Sequence, residues 1–147
     1  MKCLNYNKSE WKEYGILALR VILGVVFLIH GVQKFGALQG TADFFTSVGI
    51  PMAGVMALLV ALVETLGGAA LILGVVTCGA SVLLGIVMIV AIFTVHIGKG
   101  FGPGGVEYPL VLLAALFAMY TAGPGAYALG GRCCKDGCAD GSCGGVK

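Results

Sequence analysis

Residues 52–98 read MAGVMALLVALVETLGGAALILGVVTCGASVLLGIVMIVAIFTVHIG. Lysine and arginine are absent from this stretch, and Glu64 is its sole carboxylate. About 20 apolar residues in helical form cross the hydrocarbon core of a bilayer, so the stretch holds two spans. Gly74 and Gly79 bracket the place where the chain must fold back. Residues 52–76 and 78–98 are therefore expected to form a tight antiparallel hairpin. Pro51 suits the first turn of the earlier helix, because the donor it lacks would be unpaired there anyway. Thr77 is placed to cap the later one.

Two further apolar runs flank the hairpin, at 15–35 and 107–129. The whole chain has 147 residues, 59% hydrophobic and 11% charged, with mean hydropathy +1.00. A soluble domain of this length needs more charge to cover its surface. Only helices satisfy every backbone group inside such segments, and the alternation of a barrel strand is missing. The expected fold class is thus all-α, an integral membrane four-helix antiparallel bundle. Between spans one and two, residues 36–50 carry Ala42-Asp43-Phe44-Phe45 and predict a short interfacial helix with its aromatics against the headgroups. The division is a segment 1–14, a membrane domain 15–129 and a Gly/Cys-rich flexible tail 130–147.

Lys2, Lys8 and Lys12 ahead of an apolar run suggest a signal peptide, but Glu10 and Glu13 interrupt the basic region and no small-x-small site follows. A retained first span is the expectation. An even number of spans puts both termini on one side, with Lys2, Lys8, Lys12, Arg132, Lys135 and Lys147, against Lys34 and Lys99 opposite. The excess of positive charge predicts a multi-pass protein of the inner (plasma) membrane with both termini cytoplasmic. The net charge of +2 and the lack of a basic, aromatic-laced stripe argue against nucleic acid as a partner.

Within the spans, Arg20, Gly24, Phe27, Gly31 and Lys34 follow 3-4-3 spacing and share one face. Gly54, Ala57, Ala61, Glu64 and Gly68 do the same in span two. Ser81 and Gly85 in span three, and Ala114 and Ala118 in span four, extend the series of small residues that lets helices approach closely in lipid. Charges inside a membrane face the bundle interior and one another. Counted from the span ends, Arg20 and Glu64 differ in depth by about 7 Å, which predicts an Arg20–Glu64 ion pair in the core. Such a pair either fixes helix register or takes part in a proton or redox relay.

At the other end, His30, Lys34, His96, Lys99 and Glu107 approach the extracytoplasmic ends of three helices. Beside Phe35, Phe93, Phe101 and Tyr108 they form an expected polar cluster able to receive a quinone or another small polar headgroup. Interfacial snorkelling of the lysines is the alternative. The text GFGPGG at 100–105 matches GxGxxG, yet it joins two spans rather than a strand and a helix, so it predicts no dinucleotide site.

The tail carries Cys133, Cys134, Cys138 and Cys143 within a glycine-rich segment. Clustered thiolates in a reducing compartment favour Cu(I) or zinc, whereas an oxidising one favours disulfides. The spacing CCxxxCxxxxC follows no standard zinc or iron–sulfur pattern.

Taken in order, Arg20, His30-Gly31-Val32-Gln33-Lys34, Gly49-Ile50-Pro51, Glu64-Thr65-Leu66-Gly67-Gly68 with Gly74, His96 and Glu107 resemble the DoxX family of small membrane proteins. The resemblance covers about residues 16–129. It implies a four-helix inner-membrane protein, and for some members a place as a subunit of a thiosulfate:quinone oxidoreductase or of membrane thiol-stress complexes. The function implied is a membrane subunit of a quinone-linked redox complex, with other redox subunits and the lipid bilayer as partners. The tail departs from the family pattern and leaves open a stand-alone metal- or thiol-handling protein, as well as a structural accessory bundle.

Overall fold

A computed structural model describes residues 8–102 and 104–130, with side chains from residue 11 onward. The described residues form five α-helices: α1 Lys8–Gly36, α2 Leu38–Ser47, α3 Ala53–Leu73, α4 Thr77–Ala91 and α5 Glu107–Ala122. A π-helical turn, Ile92–His96, and a 3-10 turn, Ile97–Lys99, prolong α4. The described residues contain no strand. Helices α1, α3, α4 and α5 close an antiparallel ring, and α2 lies along α3. Three segments, Trp11–Gly36, Ala53–Leu73 and Thr77–Lys99, are long and apolar enough to cross a membrane. At 16 residues, α5 spans roughly 24 Å, somewhat short of the ~30 Å hydrocarbon core.

Glycines decide the closest helix pair. A Cβ added at Gly24 would sit 2.6 Å from Ile72 Cγ1 and 2.7 Å from the Gly68 carbonyl oxygen. Gly31 meets the backbone of Thr65 in the same way. Helices α1 and α3 therefore pack backbone to backbone, as expected from the stripe of small residues. Gly24→Val should push them apart at a cost of about 1–3 kcal/mol. Unfolding in mixed micelles measures this; a variant as stable as wild type would show that the seam is slack.

The α3–α4 hairpin is as tight as the sequence predicts. Gly74, with φ +73°, closes α3 by donating its N–H to Leu71 O at 3.1 Å, while Val75 N–H reaches Ala70 O at 3.0 Å. This is a Schellman motif, which needs the left-handed glycine. Gly49 ends α2 the same way, through Gly49 N–H to Thr46 O and Ile50 N–H to Phe45 O. Thr77 does not cap α4: it is the first helical residue, Val76 takes the cap position, and no side-chain cap bond forms.

Helix α5 departs from expectation twice. It stops at Ala122, not near Leu129, because Gly123 turns the chain out of the helix at φ +78° just before Pro124. Its inward face is Pro109, Leu112, Leu116 and Met119, whereas Ala114 and Ala118 point outward. These large side chains fill the core with Leu23, Phe27, Leu71, Leu84 and Met88. Residues 123–130 then fold back across the end of the bundle.

Candidate functional site

Glu64 does not pair with Arg20. Its carboxylate accepts from the Lys34 ammonium, and the side chains of Glu64 and Lys34 are 3% and 24% exposed. The reason lies in the glycine contacts. Because Gly24 faces Gly68 and Ile72, Arg20 comes level with Gly74, about ten residues or roughly 15 Å along α3 from Glu64. Lys34, by contrast, lies one turn beyond the level of Glu64 and reaches back to it. Arg20 instead donates to two main-chain carbonyls, Pro124 O and, at 2.9 Å, Tyr127 O. It is 1% exposed, and its guanidinium holds the returning segment 123–130 against α1.

On the Lys34 side the helices enclose a cavity of about 590 Å³. Phe27, Phe45, Met88 and Leu112 form its buried inner wall, and α2 closes one edge. Leu59, Leu83, Ile86 and Val90 line it too and are exposed on the outer surface of the helices. In a bilayer that surface faces acyl chains, so the cavity adjoins lipid sideways. Its polar groups are few: His30, Lys34, Glu64, Thr94, His96 and Tyr108.

Of the expected polar cluster, then, the fold brings together His30, Lys34 and His96. Lys99 and Glu107 are exposed and lie outside the cavity. Among the aromatics expected beside it, Tyr108 lines the cavity; Phe35, Phe93 and Phe101 do not. Tyr108 stands 6.3 Å from His30, ring centre to ring centre, and within electrostatic reach of Glu64.

Both imidazoles are oriented by backbone. His30 Nδ1 lies 2.8 Å from Val26 O, and His96 Nδ1 lies 3.2 Å from Gly104 O. A carbonyl oxygen only accepts, so each Nδ1 carries a proton and Nε2 is the ring nitrogen left for a ligand. The π turn is what positions His96, and irregular turns of this kind gather at functional sites. No signal in the sequence announced it. Among the described residues no three metal-ligating side chains converge. Cys133, Cys134, Cys138 and Cys143 lie outside the described residues.

The DoxX family model matches residues 15–97. CatD of Bacillus subtilis (strain 168), a candidate oxidoreductase, is 40% identical over 107 residues, covering 73% of this chain and 76% of CatD. An uncharacterised protein of Haemophilus influenzae is 35% identical over 130 residues, 84% of this chain and 93% of that protein. Inner membrane protein YqjF of Escherichia coli (strain K12) is 25% identical over 123 residues, 82% of this chain and 93% of YqjF. No solved structure matches. The family match takes in Arg20, His30, Lys34, Glu64 and His96, which leaves Tyr108 as the polar cavity residue from beyond it. By this match and these relatives, the chain is a multi-pass membrane protein that belongs to the DoxX family.

Proposed function

We propose that the protein is the quinone-binding membrane subunit of a redox complex in the inner membrane, with both termini cytoplasmic. The carrying observation is the cavity: apolar along most of its wall, adjoining lipid on one side, and polar at one end. A prenylated quinone has the same division, a polar ring on an apolar tail. The volume of about 590 Å³ falls among ordinary ligand sites. Lys34 and Tyr108 can donate to quinone carbonyls, and Nε2 of His30 or His96 can accept from a hydroquinone hydroxyl. Reduction of a quinone takes two electrons and two protons. The protons have a local route through Tyr108, Lys34 and Glu64. No electron carrier is visible in the sequence, so the electrons come from a partner subunit. The oxidoreductase name of CatD is consistent with this reading.

The test is photolabelling of the purified protein in nanodiscs with an azidoquinone. Labels are expected on α2, α4 and Tyr108, displaced by excess unlabelled quinone. Ile86→Trp should abolish them by filling the cavity, and Tyr108→Phe should weaken binding by about tenfold, the worth of one good hydrogen bond in a dry site. Labelling spread over the lipid-facing surface, and unchanged by Ile86→Trp, would refute the quinone site.

A further inference from the structure

The cavity is blind toward the end of the bundle that carries Gly74. Its lining stops on α3 at Glu64 and on α4 at Leu83. At that level the Leu84 side chain fills a notch at Gly67, where an added Cβ would lie 3.0 Å from Leu84 Cγ. Leu23, Leu71 and Leu116 continue the seal, each at most 3% exposed. An apolar tail too long for the cavity therefore has no path down the bundle axis. Toward the opposite end, Phe44 and Phe45 of α2 stand in the wall, and an exit past them leads to the headgroups. At the seam between α1 and α5 the lining groups are His30 and Tyr108, both polar and both exposed. Between α3 and α4 the lining is wholly apolar. Leu59 on α3, with Leu83, Ile86 and Val90 on α4, reaches both the cavity and the outer surface, and each is about half exposed. All four lie well inside segments long enough to cross the membrane, so this slot opens on hydrocarbon.

We infer that the slot between α3 and α4 passes the isoprenoid tail of the ligand sideways into the bilayer, which makes the cavity a capture site for quinones with tails longer than itself. The inference rests on the quinone reading of the cavity. A pocket of this volume encloses a drug-sized molecule, and a ring with more than a few isoprene units exceeds it. With the ring beside Lys34, Tyr108 and His30, the first tail units cross the cavity and leave between Leu59 and Ile86. The remainder stays among acyl chains, which are as apolar as the slot, so it gains and loses little on binding. Affinity counted per lipid is therefore indifferent to tail length beyond the slot. The ligand also exchanges with the membrane pool without passing through water, where its tail would be costly to expose.

The experiment uses two long-tailed quinones, one with a diazirine on the ring and one with a diazirine on an early isoprene unit. Each is photolysed with the full-length protein in nanodiscs, and the marked residues are read by peptide mass spectrometry. The ring probe should mark Tyr108 and residues 94–96, and the tail probe should mark Leu59 and residues 83–86. Leu59→Trp, at a lipid-exposed position that accepts a large side chain, narrows the slot. It should weaken a long-tailed quinone about tenfold more than a tailless one, with both concentrations counted per lipid. Val111→Trp, on the outer face of α5 and 63% exposed, should change neither. Ring marks on Tyr108 with tail marks on α1 and α5 would overturn the slot and leave the quinone site standing. Equal losses of the tailed and tailless quinones in Leu59→Trp would overturn it as well, because Leu59 would then belong to the ring pocket. No ring marks on any cavity residue would overturn both readings together.

Discussion

Lys34→Met is expected to destabilise the protein by about 3–5 kcal/mol, because it leaves the Glu64 carboxylate buried without a counter-charge. The methionine keeps most of the stem's volume, so the loss reports charge more than packing. Glu64 can answer by taking up a proton, which holds the effect toward the lower end of that range. The double variant Lys34→Met with Glu64→Leu should recover most of the stability, since removing both members of a buried pair costs far less than removing one. Equilibrium unfolding in mixed micelles, read as a double-mutant cycle, gives the coupling directly. A double variant losing the sum of the two single losses would show that the pair contributes no coupling.

The second large effect is expected at Arg20. Arg20→Met removes two charge-assisted hydrogen bonds and strands the Pro124 and Tyr127 carbonyls. Bonds of this kind contribute about 1.5–3 kcal/mol each, so a loss of about 3–6 kcal/mol is expected. Arg20→Lys should recover little, because one ammonium cannot reproduce the fork that spans both carbonyls. The same variants should expose 123–130 to protease well before the bundle unfolds. Cleavage at the wild-type rate would mean that Glu13, the stacked Tyr14–Tyr127 rings and the Leu129 and Gly130 bonds hold the segment without Arg20.

Much of the architecture was legible because lipid imposes simple rules. The length of 52–98 without lysine or arginine announced the hairpin, Gly74 marked its turn, and the 3-4-3 stripe through Gly24 and Gly31 named the face that α1 presents to α3. The partner of Glu64 was not legible. Depth counted from apolar boundaries assumed that span one begins at residue 15, whereas α1 begins at Lys8 and its register is set by glycine contacts in the interior. Those contacts move Arg20 away from Glu64 and bring Lys34 to it. Ala114 and Ala118 misled for a related reason: small residues mark an interface only where backbones meet, and α5 packs through Leu112, Leu116 and Met119. The cavity itself is lined by residues of all five helices brought together, which no local pattern encodes.

The π turn at Ile92–His96 carries a consequence for how this chain tolerates insertion and deletion. Such a turn accommodates one residue more than the α-helical repeat, and each residue of an α-helix advances the chain by about 100°. Deleting a single residue within 92–95 would let α4 run on as regular helix, at little cost to its hydrogen bonding. Everything beyond would keep nearly its present phase, because the residue lost is the one the wide turn absorbs, and His96 would stay on the cavity wall. Deleting one residue from the regular part of α4 instead would turn His96 off the wall by that angle, so position relative to this turn, rather than composition, is the quantity to compare among relatives.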